Sequence, residues 1–483
     1  MSPKVNTLST NAAKVAAGGV VLVARQILVA FSSAGVGIVL ARKLSTAEFG
    51  MYAVVTLIMT SSYLLVEAGF SAAAVQHREV PTRRRLAVVY GAQLSVAVVL
   101  AGLLVGLNPS ICAPFHDVRD ARACIYLCAI GVVFVPFSTI GVIQLERALR
   151  LAESGALLAV RPIVFNVVAA IAALSGLRVV GLGVAFLASS VSAVPYVLWR
   201  VGMPPLPSFA FREIRDLWRF AWFNAMASLV NALKDAANPL VIGLVVGATA
   251  VGRVNWAQQV AVLGTYLVMV FSRLLLPAFA RMQSDRVRMG QAAEQVLFWL
   301  NAVTALVVCG TLASISSITT LIYGDRWTAA IPLVCLLSVA NVLTPASIVC
   351  SGLLNATGSA AVVFKAALGW LAATWVGVLV LVPMLGENSY GYANIAAQGV
   401  TVWLIVKTRS EVAFRPVRSI AEPWIASGIC FCLASVLVGR FFDNASWARL
   451  VAVSVSGAAG FAVLIVVLSR KRINWFLLQL RGG

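Results

Sequence analysis

Residues 155–175 read GALLAVRPIVFNVVAAIAALS, an apolar stretch whose single charged side chain is Arg161. A transmembrane helix needs about 20 predominantly apolar residues, because each residue advances the helix by about 1.5 Å. The stretch therefore predicts a membrane-spanning helix with a cation inside it. An arginine at mid-membrane costs roughly 2.5–3.5 kcal/mol on insertion scales, so such a residue indicates a functional role.

The rest of the chain has the same apolar character. Of its 483 residues, 61% are hydrophobic and 11% are charged, and the mean hydropathy is +0.94, which excludes an ordinary soluble domain. Apolar windows of spanning length predict about 14 helices, with centres near residues 28, 62, 96, 133, 165, 190, 231, 264, 309, 341, 373, 400, 431 and 459. The windows are continuously apolar, which favours helices over a β-barrel. We therefore predict an all-α polytopic membrane protein.

The distribution of positive charge predicts the orientation. The chain has 37 Lys and Arg residues against 17 Asp and Glu residues, a net charge of +20. With an even number of spans and both termini in the cytoplasm, most cations outside the membrane fall on the cytoplasmic side, as the positive-inside rule requires. These basic loops face anionic lipid headgroups, so the net charge requires no nucleic-acid partner.

Two pairs of short stretches indicate an internal repeat. STAEFG at 45–50 resembles GATAVG at 247–252, and GLGVA at 181–185 resembles GYANI at 391–395. Parallel repeats of this kind are typical of transporters, whose cargo site lies between the repeated lobes. We predict two pseudo-symmetric six-helix lobes and a C-terminal helix pair with a short basic tail, at residues 1–205, 206–410 and 411–483 respectively.

Four cations fall inside predicted spans, namely Arg25, Arg161, Lys234 and Arg273. Because the excess is basic, an anion is the natural cargo, and Arg25 and Arg161 are the deeper pair. Glu67 and Asp235 are candidates to balance these charges. Lys234 and Asp235 are adjacent, so we expect their side chains to diverge around the helix and not to pair. For Arg273, near a span end, the alternative is snorkelling to the interface.

Polar residues repeat every three, four or seven positions in three predicted spans, so each set shares one helical face. The alternatives are a water-filled cavity or hydrogen bonds between helices, which polar residues in membrane bundles often make. The candidate cavity-lining residues are Thr60, Tyr63, Asn224, Asn231, Asn238, Asn255, Gln259 and Tyr266.

Cysteines and histidines predict no metal site and no cofactor. The eight cysteines contain no CxxC pair, and the only histidines, His77 and His116, lie outside the predicted spans. A histidine metal site or a catalytic triad is therefore not expected. No hydrophilic stretch is long enough for a catalytic domain, so we do not expect an enzyme.

Five stretches resemble a known family. Three are similar to the opening of bacterial polysaccharide flippases: ARKLSTAEFGMY at 41–52, EAGFS at 67–71 and VQHR at 75–78. Two resemble second-lobe stretches of the same family: LPAFARMQSD at 276–285 and YGDRWTAAIP at 323–332. These flippases belong to the multidrug/oligosaccharidyl-lipid/polysaccharide exporter superfamily. The resemblance departs at residues 253–255, RVN, where relatives carry an aromatic residue.

The resemblance implies a transporter of the bacterial cytoplasmic (inner) membrane. Its cargo would be a polyprenyl-pyrophosphate-linked oligosaccharide repeat unit, moved outward by alternating access for exopolysaccharide or O-antigen assembly. The first, second, seventh and eighth helices would line the cavity. Membrane lipids, a polysaccharide polymerase and export machinery are the implied partners. On this hypothesis the four intramembrane cations bind the pyrophosphate head group, and Glu67 or Asp235 couples transport to H⁺ or Na⁺.

Three alternatives remain open from the sequence. A multidrug/cation antiporter of the same superfamily requires an acidic cavity, whereas the intramembrane charges are mainly basic. A lipid II flippase has the same pyrophosphate chemistry, and charge alone does not separate the two cargoes. A membrane-embedded sugar polymerase or ligase requires acid–base residues on a large outer loop, and the longest candidate loop offers only His116, Asp117 and Asp120.

Overall fold

The architecture is known from a computed structural model, which describes residues 26, 28–67, 82–148, 150–214, 226, 229–230, 232–266, 268–269, 275, 279–280, 282, 285–443 and 446–481. Across these residues the regular secondary structure is helical throughout, which confirms the all-α prediction.

The first long helices are α1 (28–43), α2 (Thr46–Glu67), α3 (Arg83–Gly106), α4 (Ala121–Arg147), α5 (Leu151–Leu174), α6 (Arg178–Val191) and α7 (Ala193–Arg200). The following ones are α8 (Ala248–Ala261), α9 (Arg286–Ala313), α10 (Ile331–Ala340), α11 (Thr344–Ala356), α12 (Ala360–Leu385), α13 (Ser389–Glu411), α14 (Pro416–Val438) and α15 (Trp447–Arg481). Shorter helical turns include Asn108–Cys112, Phe211–Ile214, Asn238–Ile242 and Thr319–Tyr323.

Within the described residues, ten stretches are long and apolar enough to cross a membrane. One of them, Ala360–Glu411, contains both α12 and α13. The predicted spans centred near 28, 231 and 264 each include residues outside the described part of the chain. The total of 14 spans and the cytoplasmic termini therefore stay predictions, as do the boundaries of the two lobes and the helix pair.

The chain divides into two compact units, Met1–Gly252 and Arg253–Gly483. In the first unit α4 is the central helix and packs against α2, α3, α5 and α6. Apolar side chains fill its interfaces, such as Ile140 and Ile143 against Val88 on α3. Since lipid is as apolar as these side chains, close packing rather than the hydrophobic effect holds the helices together.

The second unit is built around α9 and α13. Helix α9 packs against α14 and α15, while α13 packs against α10, α11 and α12. A buried cluster joins these helices and includes Leu297 on α9, Leu353 on α11, Leu404 on α13 and Phe414. The core of each unit therefore consists of helices that belong to stretches long enough to cross the membrane.

Helices α3 and α9 begin with the same kind of cap. The Thr82 hydroxyl accepts a hydrogen bond from the backbone N–H of Arg85, at 3.3 Å. The Asp285 carboxylate accepts one from the N–H of Arg288, at 2.9 Å. Side-chain oxygens at this position satisfy donors that a helix start leaves unpaired.

A close backbone contact follows each of these caps. A Cβ on Gly91 in α3 would overlap the carbonyl oxygen of Ser208, which comes after α7. A Cβ on Gly290 in α9 would overlap the carbonyl oxygen of Ala413, which comes after α13. In each unit a glycine therefore allows the stretch after a later helix, α7 or α13, to lie directly against an earlier one.

Candidate functional site

Arg161 is the intramembrane cation whose surroundings the structure describes best. It lies in the middle of α5, and only 6% of the residue is exposed. Its guanidinium carbon is 5.3 Å from the centroid of the Tyr63 ring on α2, a cation–π distance. The structure thus brings together two of the predicted site residues, which are far apart in the sequence.

Two nitrogens of this guanidinium, Nε and Nη2, are buried and have no hydrogen-bond partner among the described residues. Nε and Nη2 are neighbouring donors on one edge of the group. Burial of a guanidinium with unpaired donors is energetically unfavourable, because its hydrogen bonds to water are lost and no hydrogen bonds of equal strength replace them. The arrangement suits an anion with two adjacent oxygens, which an arginine edge binds through parallel hydrogen bonds.

Helix α1 lies against the helix that carries Arg161. The Asn166 amide on α5 donates hydrogen bonds to the hydroxyls of Ser32, at 2.9 Å, and Ser33, at 3.0 Å. Asn166 is buried, so this polar contact joins the two helices. Arg25, the second deep cation of the prediction, lies outside the described residues.

The predicted polar face of α2 is carried by a continuous helix. Thr60 is exposed, and Tyr63 and Glu67 are half-buried. Thr56, from the same face, donates its hydroxyl to the carbonyls of Tyr52 and Ala53 in its own helix, both at 3.0 Å. The face therefore combines an exposed residue, Thr60, with one whose hydroxyl is satisfied locally, Thr56.

Lys234 and Asp235 form an ion pair, which makes the prediction that they diverge wrong. The distance from Lys234 Nζ to Asp235 Oδ1 is 2.9 Å. Adjacent Cβ atoms do point about 100° apart on a helix, but the four-carbon stem of lysine is long enough to return its ammonium to the neighbouring carboxylate. The two charges therefore compensate each other locally.

The other predicted residues are divided between the second unit and the stretch before it. Asn238 is buried at the start of a π-helical turn, Asn238–Ile242, a distortion frequent at functional sites. Asn255, Gln259 and Tyr266 are half-buried, and the Asn255 amide nitrogen has no hydrogen-bond partner among the described residues. Outside the described residues lie Asn224, Asn231 and Arg273.

Glu146 was missed by the sequence prediction. It lies near the end of α4, accepts a hydrogen bond from the Ser154 hydroxyl at 3.3 Å, and interacts electrostatically with Glu67. The only available signal was an acidic residue at the end of a long apolar run. Sequence spacing within α4 gave no indication that α2 brings a second carboxylate near it.

Two ion pairs were missed for the same reason. Arg178 Nη1, at the start of α6, lies 3.2 Å from the Glu48 carboxylate on α2. In the second unit, Arg253 Nη1 on α8 lies 3.2 Å from Glu387, just before α13. Each pair joins residues that are more than a hundred positions apart.

Comparison with known proteins gives the family. Residues 39–332 match the family described as "Polysaccharide biosynthesis protein". The succinoglycan biosynthesis transport protein ExoT of Rhizobium meliloti is 23% identical over 463 residues, which cover 91% of this chain and 90% of ExoT. The teichuronic acid biosynthesis protein TuaB of Bacillus subtilis is 23% identical over 287 residues. That match covers 58% of this chain and 58% of TuaB.

Solved structures share the fold. The lipid II flippase MurJ in an inward closed conformation superposes with a TM-score of 0.73 at 12% identity, over 94% of this chain and 99% of MurJ. An inward-facing multidrug resistance MATE family transporter gives 0.61 at 14% identity, over 81% and 98% of the two chains. At these identities the likeness concerns the fold alone. The chain is a multi-pass membrane protein that belongs to the polysaccharide biosynthesis protein family.

Proposed function

We propose that this protein moves a polyprenyl-pyrophosphate-linked oligosaccharide across the bacterial cytoplasmic membrane by alternating access. The names of its relatives support a role in polysaccharide assembly, since ExoT is a succinoglycan biosynthesis transport protein. The observation that carries the proposal is the buried Arg161 guanidinium, two adjacent donors of which have no hydrogen-bond partner among the described residues. We assign to this edge of Arg161 the binding of the pyrophosphate.

The energetics favour a phosphate ligand at this position. A charge–charge contact of about 4 Å is worth roughly 4 kcal/mol at an effective dielectric constant of 20. That gain opposes the cost of holding a cation inside the membrane. A neutral sugar would satisfy the donors without compensating the charge, whereas a pyrophosphate does both.

Tyr63 orients the arginine. Its ring lies under the guanidinium at 5.3 Å, which restricts the plane of the fork while leaving the Nε and Nη2 edge available. Thr60 lies one turn away on the same face of α2 and is exposed. We propose that this face of α2 contacts the first sugar of the cargo.

We retain Arg25 as the second head-group cation. The contact of Ser32 with Asn166 sets the relative level of α1 and α5. In the predicted topology both helices run in the same direction, and Arg25 and Arg161 precede these contacts by seven and five residues. The two cations are thus separated from this contact by nearly the same number of residues, which is the reason to retain Arg25. Lys234 and Arg273 are proposed to assist.

For ion coupling, Glu67 is favoured over Asp235. The Asp235 carboxylate is already compensated by Lys234, at 2.9 Å. Glu67 is half-buried on α2, and the Glu146 carboxylate on α4 adds a second negative charge in its surroundings. Two carboxylates near each other favour the uptake of a proton or a cation. We therefore propose that Glu67 binds the coupling H⁺ or Na⁺.

Lipid II transport is the second candidate, because MurJ has the same fold over nearly the whole chain. Its head group presents the same pyrophosphate to Arg161, so the two cargoes differ in the sugars alone. A multidrug/cation antiporter is disfavoured by a buried cation without a described carboxylate partner. We propose a polysaccharide polymerase and export machinery as downstream partners, and no chemical reaction in this chain.

Translocation in proteoliposomes tests the proposal. A fluorescent polyprenyl-pyrophosphate oligosaccharide would be followed with the wild-type protein, Arg161→Ala, Arg161→Lys and the control Lys365→Ala. Lys365 is an exposed cation in α12, so its loss should leave the rate unchanged. We expect Arg161→Ala to slow translocation at least about tenfold, which corresponds to about 1.4 kcal/mol. Arg161→Lys keeps the charge without the fork and should be intermediate.

Wild-type rates in Arg161→Ala at equal protein amounts would contradict the assignment of Arg161. Lipid II moved in preference to the oligosaccharide, in a competition between both substrates, would favour the second candidate. Efflux of an organic cation without movement of either lipid would contradict the proposed function as a whole.

A further inference from the structure

The segment after α7 has an unusual combination of exposed apolar residues and buried prolines. We call residues 203–209, MPPLPSF, the strap. Helix α7 ends at Arg200, and Gly202, at φ +89°, turns the chain away from the helix axis. The strap itself has no helical or strand structure. Because prolines fix φ near −65° and lack an N–H, such a segment is restricted to extended conformations.

Side chains of the strap alternate with a period of three. Met203 is 80% exposed, Leu206 83% and Phe209 59%, whereas Pro204 and Pro205 are buried. A polyproline II helix has three residues per turn, so positions separated by three lie in one row along it. The three large apolar side chains therefore form a single outward row, and the prolines pack inward.

The backbone of the strap is fixed to α3. The N–H of Ser208 donates a hydrogen bond to the carbonyl of Ala87, at 2.9 Å. The Ser208 carbonyl packs so closely on Gly91 that any Cβ there would overlap it. The apolar row is thus held in position by α3 on the side opposite to the exposed side chains.

Aromatic and basic side chains surround the row. Trp199 is exposed at the end of α7, and the Arg200 guanidinium carbon lies 4.0 Å from the centroid of its ring. Arg212 is exposed just after the strap. Arg83 and Arg84 are exposed at the start of α3, one turn from Ala87. Tryptophan and arginine beside an apolar ridge are typical of the boundary between lipid headgroups and acyl chains.

The row also continues a surface that faces lipid. Val191, Leu198 and Trp199 are exposed along the last turns of the span Arg178–Arg200. A spanning helix directs such side chains toward acyl chains, and the strap begins where that helix ends. Contact with acyl chains is more favourable for these apolar side chains than contact with water, and the exposed side chains of the adjacent span already have it. The row therefore continues the lipid-facing surface of that span.

We propose that the strap is a lipid-binding element that lies in the headgroup layer of the membrane. Met203, Leu206 and Phe209 reach the upper acyl chains, and Arg83, Arg84 and Arg212 bind the phosphates of anionic phospholipids. The charge distribution places this end of the helices on the cytoplasmic side, where anionic lipids attract basic segments. The connection between the predicted lobes is thereby bound to the bilayer.

Photocrosslinking with p-benzoylphenylalanine tests the proposal. The residue would replace Phe209, Leu206 and, as the matched control, Pro207, which is half-buried next to the exposed Leu206. Membranes containing each variant would be irradiated, and the purified protein would be analysed for adducts by mass spectrometry. Phe209→p-benzoylphenylalanine keeps an aromatic ring, so it tests the idea even if the other variants fail to accumulate.

Phospholipid adducts at positions 206 and 209, at least about fivefold more abundant than at 207, are the expected result. Arg212→Gln combined with the probe at 209 should lower the anionic fraction of these adducts about twofold. Adducts with another protein would overturn the proposal in favour of a protein-docking surface. Equal lipid labelling at 207, or no lipid adduct at 209, would overturn it as well. None of these readouts depends on the cargo or on transport.

Discussion

The two units contain an ion pair between corresponding elements, but with the charges exchanged. In the first unit the carboxylate of Glu48 on α2 pairs with Arg178 at the start of α6. In the second unit Arg253 on α8 pairs with Glu387, just before α13. Glu48 lies within one of the four stretches in which the sequence repeat was recognised, and Arg178, Arg253 and Glu387 lie just outside the other three. The comparison suggests that the repeat preserves the contact rather than the residue at each position.

Other contacts differ in chemistry between the units. In the first unit Glu153 lies between two arginines, with Oε2 2.5 Å from Arg150 Nη2 and 3.6 Å from Arg200 Nε. Hydrogen bonding to Glu153 raises the pKa of Arg150, a side chain that is charged at neutral pH in any case. In the second unit Glu411 accepts hydrogen bonds from two hydroxyls, those of Thr357 at 2.8 Å and Ser359 at 2.7 Å. The carboxylate is therefore bound by charged arginines in the first unit and by neutral hydroxyls in the second.

The glycine contacts differ least between the units, and their loss should have the largest effect on stability. Gly91→Ala and Gly290→Ala each place a Cβ on a backbone carbonyl, which should cost about 3 kcal/mol through displaced backbone. Gly102, on the open side of α3, meets nothing within 4 Å. Gly102→Ala should therefore be neutral or stabilising by roughly 0.5 kcal/mol. Thermal unfolding of the purified variants in detergent measures both.

A large loss for Gly91→Ala with none for Gly290→Ala would break the correspondence between the two units. It would mean that the close contact supports the fold in one unit alone. Similar losses for both, with Gly102→Ala unchanged, would extend the correspondence from the sequence repeat to the packing.

Loss of either ion pair should have an intermediate effect on stability, and reversal of the charges should restore it in part. Single neutralisations, Glu48→Gln or Glu387→Gln, should each cost about 1 kcal/mol, because a charged hydrogen bond is lost at a partly solvated site. The double reversal Arg253→Glu with Glu387→Arg should recover most of the loss. Glu48 also accepts the N–H of Ser45, at 2.8 Å, so reversal in the first unit should recover less.

Double-mutant cycles on thermal unfolding would measure these couplings. Equal recovery of stability in both units would show that the hydrogen bond from the Ser45 N–H to Glu48 contributes little. No recovery in the second unit would contradict a role for Arg253 and Glu387 as a pair.

Loss of the contacts of Glu153 or of Glu411 should have the smallest effects on stability, and the salt dependence of the melting temperature should distinguish the two. Glu153→Gln should lower the melting temperature slightly at low ionic strength. The difference from the wild type should vanish near 1 M salt, where the Debye length is about 3 Å. Glu411→Gln removes one acceptor for a hydroxyl, so its effect should be independent of salt. A salt-dependent effect for Glu411→Gln would contradict the distinction between the two contacts.

The sequence was sufficient for the fold class and for the presence of a cation, Arg161, inside a predicted span. Apolar windows predicted the helices because the bilayer requires a minimum apolar length. Arg161 was recognisable because a cation in such a window is costly. Its position over Tyr63 was not predictable, since periodicity describes one helix and contains no information on which helix is its neighbour.

The errors have the same origin. Glu48, Arg178, Arg253 and Glu387 lie at helix starts where charges are common, and nothing local indicates a distant partner. The prediction for Lys234 and Asp235 used Cβ directions alone and neglected the reach of the lysine side chain. The polar residues of the first helix, Ser32 and Ser33, gave no sign that a buried Asn166 would join them to α5.

Binding of the head group is the most direct test of the proposal that Arg161 binds the pyrophosphate. A short-chain polyprenyl pyrophosphate would be titrated into the protein in nanodiscs, with Arg161→Ala, Arg161→Lys and Lys365→Ala as variants. We expect at least about tenfold weaker binding for Arg161→Ala, a smaller loss for Arg161→Lys and none for Lys365→Ala. Unchanged affinity in Arg161→Ala, in a protein with wild-type thermal stability, would contradict it.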